Sequence, residues 1–139
     1  MEDKVVLITG ATGGIGTANA IRFLDEGASV FLTGRSPEKL DTLAKKLNKP
    51  AKLQSCVVEA IDEAAVERSI TQCLSEFGRV DSIIANAGTE GKVQALEEYS
   101  VEDFNRTLLV NVTGVWLYLK HGLKPMRDQK SGSFVAISS

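Results

Sequence analysis

The chain has 139 residues, 43% hydrophobic and 24% charged, enough for one domain with its own core and too few for two. That balance is the ordinary range of a globular protein and argues against disorder. The net charge is −2 and the basic residues are scattered, which argues against nucleic acid as a partner. No apolar run approaches the roughly 18 residues a membrane span requires, and the first residues, Met1-Glu2-Asp3-Lys4, carry no charged-then-apolar leader. Cys56, Cys73 and the single His121 lack the spacing of a metal site, so no metal is expected. Reduced, buried thiols in a cytoplasmic protein are the simplest reading.

In chain order, residues 4–9 are a short apolar run ended by Gly10, which suits a strand buried on both faces. Over residues 14–26, Ile15, Ala18, Ile21 and Leu24 recur at helical spacing as the inward face, and Gly27 stops the helix. Residues 30–33 form a second strand. Ser36 as N-cap and Pro37 at the first helical position open a second helix with Leu40, Leu43, Ala44 and Leu47 on its apolar face. Residues 52–58 read as a third strand, and 61–77 as a helix with Val66, Ile70, Cys73 and Leu74 inward. A fourth strand at 81–85 is followed by a polar stretch, 89–99. Ser100-Val101-Glu102-Asp103 then starts a long helix that runs to about Lys124, where Pro125 should end or kink it. Residues 133–137 are a fifth strand. Strict alternation of strand and helix implies parallel strands joined by right-handed crossovers, a doubly wound α/β sheet with helices on both faces.

Between the first strand and the first helix lies Thr9-Gly10-Ala11-Thr12-Gly13-Gly14-Ile15-Gly16. Gly10 can take a backbone conformation that a Cβ forbids, Gly14 allows close approach to a ligand, and Gly16 lets the helix pack on the sheet. Backbone N–H groups and the positive end of the helix dipole then face a diphosphate. A purely structural turn is the alternative, but the loop's place at the start of a βαβ unit favours a nucleotide. The spacing is GxxxGxG and no Lys-Ser/Thr follows, so a nucleoside-triphosphate loop is disfavoured.

The run from Thr9 to Gly16 resembles the cofactor motif of the short-chain dehydrogenase/reductase superfamily. Three further stretches agree in order and spacing, so that the likeness covers essentially the whole chain. Ala85-Asn86-Ala87-Gly88 is similar to the family's Asn-Asn-Ala-Gly, with Ala for the first Asn; Asn111-Val112-Thr113-Gly114 resembles its helix asparagine motif; and residues 132–139 resemble its serine-bearing fifth strand. The resemblance implies a Rossmann-type NAD(P)-binding fold and hydride transfer between nicotinamide and an alcohol or carbonyl substrate. It implies cofactor contacts from Thr9, Gly10, Thr12, Gly13, Gly14, Ile15, Gly16, Asn86, Ala87 and Gly88, with Asn86, Ala87 and Gly88 near the adenosine ribose. It gives Asn111 a water in a proton relay and Ser139 a hydrogen bond to the substrate oxygen. Glu59 stands where the family usually has an aspartate that contacts adenine. The family also commonly pairs the helix containing Asn111 with its symmetry mate, which implies a homo-oligomer.

Cofactor preference should be set at the end of the second strand, Thr33-Gly34-Arg35-Ser36. An acid there would bond the ribose 2′-hydroxyl, but none is present, and the fork of Arg35 suits phosphate oxygens. NADP is therefore favoured over NAD, with a merely solvated Arg35 as the alternative. The family's Tyr-x-x-x-Lys pair does not occur within these residues: Tyr99 is followed by Ser-Val-Glu-Asp and Tyr118 by Leu-Lys-His-Gly. Three expectations follow. The chain is the incomplete, catalytically impaired amino-terminal part of an oxidoreductase, or a dinucleotide-binding module without turnover, or an assembly partner that completes its sheet with another chain.

Overall fold

The computed structural model describes residues 1–138. Strands β1 (Val5–Ile8), β2 (Ser29–Gly34), β3 (Leu53–Val57), β4 (Ser82–Ala85) and β5 (Ser133–Ala136) form one sheet in the order β3-β2-β1-β4-β5. All four pairings are parallel, with Val6 beside both Val30 and Ser82 in the centre. The expected doubly wound α/β fold is what the chain adopts. The winding reverses at β1: β2 and β3 are added on one side, β4 and β5 on the other. The connections leaving β1 and β4 therefore diverge to opposite faces, and a crevice opens between them at the carboxyl ends of the strands.

Period-two alternation divides β1 between two cores. Val6 and Ile8 pack with Ala20 and Leu24 of α1 (Gly14–Asp25) and with Leu40 and Leu43 of α2 (Pro37–Leu47). Val5 and Leu7 pack with Val66, Ile70 and Cys73 of α3 (Glu63–Phe77) and with Leu117 and Tyr118 of α5 (Gly114–Asp128). A strand with a helical layer on each face has no solvent side, which is why its sequence is continuously apolar. Burial pushes the free thiols up, Cys73 to about 12 and Cys56 to about 11.

Local signals fix the helix starts. Ser36 accepts the Lys39 N–H at 3.2 Å, Asp62 accepts the Ala65 N–H at 3.0 Å, and Ser100 accepts the Asp103 N–H at 3.1 Å at the head of α4 (Val101–Leu108). These caps follow the ordinary chemistry of short oxygen-bearing side chains at N-termini.

Two sequence expectations are corrected. The buried face of α1 is Gly16, Ala20 and Leu24, whereas Ile15 and Ile21 are exposed and so is Ala18. The small Ala20 lets the helix lie close to the sheet, so hydrophobicity alone misassigned its face. The long helix is also not uniform. Between α4 and α5, Leu109–Thr113 form a π turn in which the Gly114 N–H reaches back to the Leu109 carbonyl. Pro125 neither ends nor interrupts α5, which continues to Asp128 and beyond which Gln129 N–H still bonds to the Pro125 carbonyl at 2.9 Å. A proline near the carboxyl end of a helix removes one donor and leaves its own carbonyl usable.

A row of apolar residues on α4 and α5 stays open. Phe104, Leu108, Val112, Trp116, Leu119 and Leu123 are all exposed, as are Val135 and Ile137 at the edge strand β5. No helix among the described residues is long and apolar enough to cross a membrane.

Candidate functional site

At the carboxyl ends of β1 and β4 the crevice encloses about 1060 Å³. Thr9, buried at the end of β1, joins its two walls: its Oγ1 accepts the N–H of Asn86 at 2.9 Å and of Ala87 at 2.8 Å. The Asn86 side chain answers by donating from Nδ2 to the carbonyls of Thr9 and Gly10, each at 3.2 Å. Thr33 at the end of β2 supplies a third tie, its carbonyl accepting the Ala11 N–H at 3.0 Å. The glycine loop is thus clamped from both neighbouring strands.

Gly10 has φ +59°, and a Cβ on it would stand 2.8 Å from the Ala87 Cα. Gly16 lies beneath the loop, where a Cβ would meet the Gly10 carbonyl oxygen at 2.4 Å and the Ala11 Cα at 2.7 Å. Its packing partner is therefore the loop itself and not the sheet, a correction to the sequence reading. Above these contacts α1 begins at Gly14 with Gly13 as N-cap and no side chain capping it. The Gly14 and Ile15 N–H groups find no acceptor among the described residues. A helix end of this kind carries partial positive charge and open donors.

Thr9, Gly10, Thr12, Gly13, Gly14, Ile15, Arg35, Glu59, Asn86, Ala87, Gly88 and Asn111, all singled out from sequence, line this one crevice. Gly16 does not, and Ser139 lies outside the described residues; its neighbour Ser138 is at the crevice. Val58 and Val110 add apolar wall, and Ser36 and Lys39 stand beside Arg35. Lys39 was missed in the sequence. Its signal was its place in the first turn of a helix that opens at Pro37, right behind the strand end.

Asn111, expected to hold a water, is exposed and its amide is already paired with backbone: Oδ1 accepts the Thr89 N–H and Nδ2 donates to the Thr89 carbonyl, both at 2.8 Å. It fastens the segment after β4 to the π turn. Glu59, two residues beyond β3, has an Oε1 that is buried without a partner, the one such side-chain atom among the described residues. Buried acceptors of that kind are rare unless a ligand or water completes them.

Neither tyrosine is placed to exchange a proton with a ligand. Tyr118 is 1% exposed under the crevice floor, bonded to Thr33 Oγ1 at 3.0 Å, and burial pushes its hydroxyl up to about 12. Tyr99 accepts the Lys92 N–H at 3.0 Å within the loop before α4.

The residue pattern of the short chain dehydrogenase family matches residues 4–139. Levodione reductase of Leifsonia aquatica is 38% identical over 140 residues, covering 99% of this chain and 52% of the reductase. The crystal structure of levodione reductase superposes with TM-score 0.95 at 37% identity, over 100% of this chain and 55% of that one. Xylitol dehydrogenase crystallised with NAD⁺ bound gives TM-score 0.94 at 32% identity, over 99% of this chain and 54% of the dehydrogenase. A 3-ketoacyl-(acyl-carrier-protein) reductase from Brucella melitensis, complexed with NADH, gives 0.92 at 30% identity, over 99% and 58%. The chain spans about half the length of the relatives it matches. With its sheet order, its clamped glycine loop and this match along nearly all its residues, the chain belongs to the short-chain dehydrogenase family of oxidoreductases.

Proposed function

We propose that the crevice holds a nicotinamide dinucleotide, with its pyrophosphate at the uncapped start of α1. One observation carries this reading. Ser36, Asp62 and Ser100 cap the heads of α2, α3 and α4, while α1 alone of these four begins on a glycine with open donors at the crevice. The orphaned Glu59 oxygen and the open space beside Gly14, where a Cβ would meet nothing within 4 Å, also suit a bound polar molecule. Gly13, Gly14 and Ile15 would meet the pyrophosphate. Ala87, Gly88 and Val110 would flank the adenosine, and Glu59 would accept from its amino group. Asn86 acts indirectly, by holding the loop. When bound, the nicotinamide gives or takes a hydride against an alcohol or carbonyl substrate.

The remaining residues divide the supporting tasks. Arg35 favours the 2′-phosphate of NADP over NAD. Asn111 orients the segment after β4 with its amide and leaves the π turn to hold a water, and Ser139 bonds the substrate oxygen. The tyrosine acid/base is not among residues 1–139, so these residues alone bind and orient the cofactor without measurable turnover. General acid/base assistance contributes about 10²–10⁴-fold in typical enzymes. Pairing of two copies is supported by the open apolar row from Phe104 to Leu123.

The test is binding of NADPH and NADH to the 139-residue chain, by nicotinamide fluorescence and by thermal melting. A ligand at one hundred times its Kd should add about 2.7 kcal/mol to the folded state. A well-folded chain, by circular dichroism, that neither nucleotide stabilises would overturn the reading.

A further inference from the structure

Arg35 has company at its end of the crevice. The first turn of α2 brings Lys39 to the same wall, beside Ser36 and Thr12. Ser36 joins the turn together, since its Oγ accepts the Lys39 N–H at 3.2 Å and donates to Glu38 Oε2 at 2.8 Å. Arg35, Glu38 and Lys39 are all exposed. One short turn therefore carries two cations and one anion, the anion bonded to the Ser36 hydroxyl. The Glu38 carboxyl is held below its ordinary value by a backbone N–H and by the Ser36 hydroxyl, so it stays charged at neutral pH.

We propose that Lys39 is a specificity-determining residue that supplies the second cation for a ribose 2′-phosphate, and that Glu38 opposes it. The inference rests on the reading of the crevice as a dinucleotide site. A phosphate monoester carries about −1.5 to −2 charges at neutral pH, more than one guanidinium balances. The glycine loop offers no further cation, having Thr12 and Gly13 where one could stand. Lys39 fills that deficit. Glu38 acts in the other direction twice over. Its like charge repels the phosphate, and it occupies the only proton that the Ser36 hydroxyl can donate. NADP binding requires Ser36 to exchange Glu38 for a phosphate oxygen, an exchange that NAD does not need. The balance between two adjacent residues, and not Arg35 alone, then sets the cofactor ratio.

Two substitutions of opposite sign test this on the full chain. Affinities for NADPH and NADH are measured by fluorescence at low and at physiological ionic strength. Lys39→Met should weaken NADPH about fivefold and leave NADH within about twofold, with the difference shrinking as salt rises. Glu38→Gln should tighten NADPH about two- to fivefold and leave NADH alone. Both residues are exposed, so neither change threatens the fold. An unmoved NADPH/NADH ratio in Lys39→Met, or a parallel loss of both nucleotides, overturns the role of Lys39. Weaker NADPH binding in Glu38→Gln overturns the opposition. A folded wild-type chain that binds neither nucleotide sinks the dinucleotide reading itself and this inference with it. That outcome is distinct from one in which wild type binds both and the variants leave the ratio untouched.

Discussion

At the amino-terminal end of the sheet, the carboxylate of Asp81 is buried and takes hydrogen bonds from Arg79 Nε and Nη2, Lys4 Nζ and the Val5 N–H, at 2.6 to 3.1 Å. Beside it Gln129 pairs with both the N–H and the carbonyl of Val80, and Ser133 donates to Ser82. At the carboxyl-terminal end, Glu59 Oε1 is buried with no partner among the described residues, and α1 starts with open amides. The same sheet carries both ends, so strand geometry does not explain the contrast. Stability favours closing every polar group, as the amino-terminal end does. The carboxyl-terminal end closes the bonds that shape the glycine loop, among them Thr9 to Asn86 and Ala87, but leaves the Glu59 oxygen and the first amides of α1 open at the crevice. Polar groups closed by the fold and polar groups left open are thus separated along the strand axis.

The strongest way to break this division is to fill the space under the loop. Gly16→Ala places a methyl within 2.4 Å of the Gly10 carbonyl oxygen, and backbone must shift. The expected cost is about 3 kcal/mol, at the upper part of the overpacking range, together with loss of nucleotide-dependent stabilisation. Thermal melts with and without NADPH check both. A variant that melts like wild type and still gains from the nucleotide would mean that the loop yields cheaply.

At the other end, Asp81→Ala leaves the Val5 N–H without its acceptor and two cations without a partner, for an expected loss of about 2 kcal/mol. Nucleotide affinity should not change. Burial pushes the Asp81 carboxyl up, but Arg79, the Val5 N–H and Lys4 together outweigh that and hold it below its ordinary value. A carboxylate so depressed adds stability that is whole above about pH 5 and lost as the pH falls through about 4 and below. Wild type should therefore lose more stability between pH 7 and pH 3 than Asp81→Asn does, by urea unfolding at each pH. Parallel losses would remove Asp81 as the source of the acid sensitivity.

What the sequence reveals and hides divides by range of interaction. Ser36 and Ser100 were legible as caps because each bonds an amide three residues away. β1 was legible because a doubly covered strand must be apolar throughout. The loop side of the crevice followed from the place of the glycine loop in a βαβ unit, and the wall at Glu59, Asn86–Gly88 and Asn111 from the family resemblance. The inward face of α1 was not legible, since Gly16 and Ala20 carry little hydrophobic signal and are selected by closeness. Nor was the π turn at Leu109–Thr113, because helical periodicity does not announce an extra residue in a turn. The engagements of Asn86 with Thr9 and Gly10, 77 and 76 residues away, and of Asn111 with Thr89 depend on tertiary placement. An asparagine in a motif shows that an amide is wanted, and only the fold shows by what.

Within the carboxyl-terminal end, Thr9→Val sharpens the separation by removing a shaping bond while keeping side-chain volume. Two half-buried amides, of Asn86 and Ala87, would lose their shared acceptor. Stability should fall by about 1 kcal/mol, and nucleotide affinity should fall with it, because the loop loses its tie to β4. Thr9→Ser keeps the oxygen and should restore most of both, as read from the same melts and titrations. Affinity preserved in Thr9→Val would show that Asn86 holds the loop without help.

The smallest expected change in stability is the most telling one. Asp81 and Glu59 are both carboxylates with buried oxygens, yet truncating them should have different consequences, because one oxygen set is satisfied by the fold and the other is not. Glu59→Ala removes an acceptor that bonds nothing among the described residues, so the folded state loses packing but no hydrogen bond at that oxygen. The unfolded-to-folded free energy should stay within about 0.5 kcal/mol of wild type, the usual range for a change that breaks no established contact. Dinucleotide affinity should nevertheless drop about tenfold or somewhat more, since one hydrogen bond to a charged acceptor is worth about 1.5 kcal/mol or somewhat more. A ligand lacking the adenine amino group, nicotinamide hypoxanthine dinucleotide, should already bind wild type that much more weakly and should not distinguish the variant from it. If Glu59→Ala instead costs as much stability as Asp81→Ala, the oxygen has a structural partner, and the two ends of the sheet are built by the same rule after all.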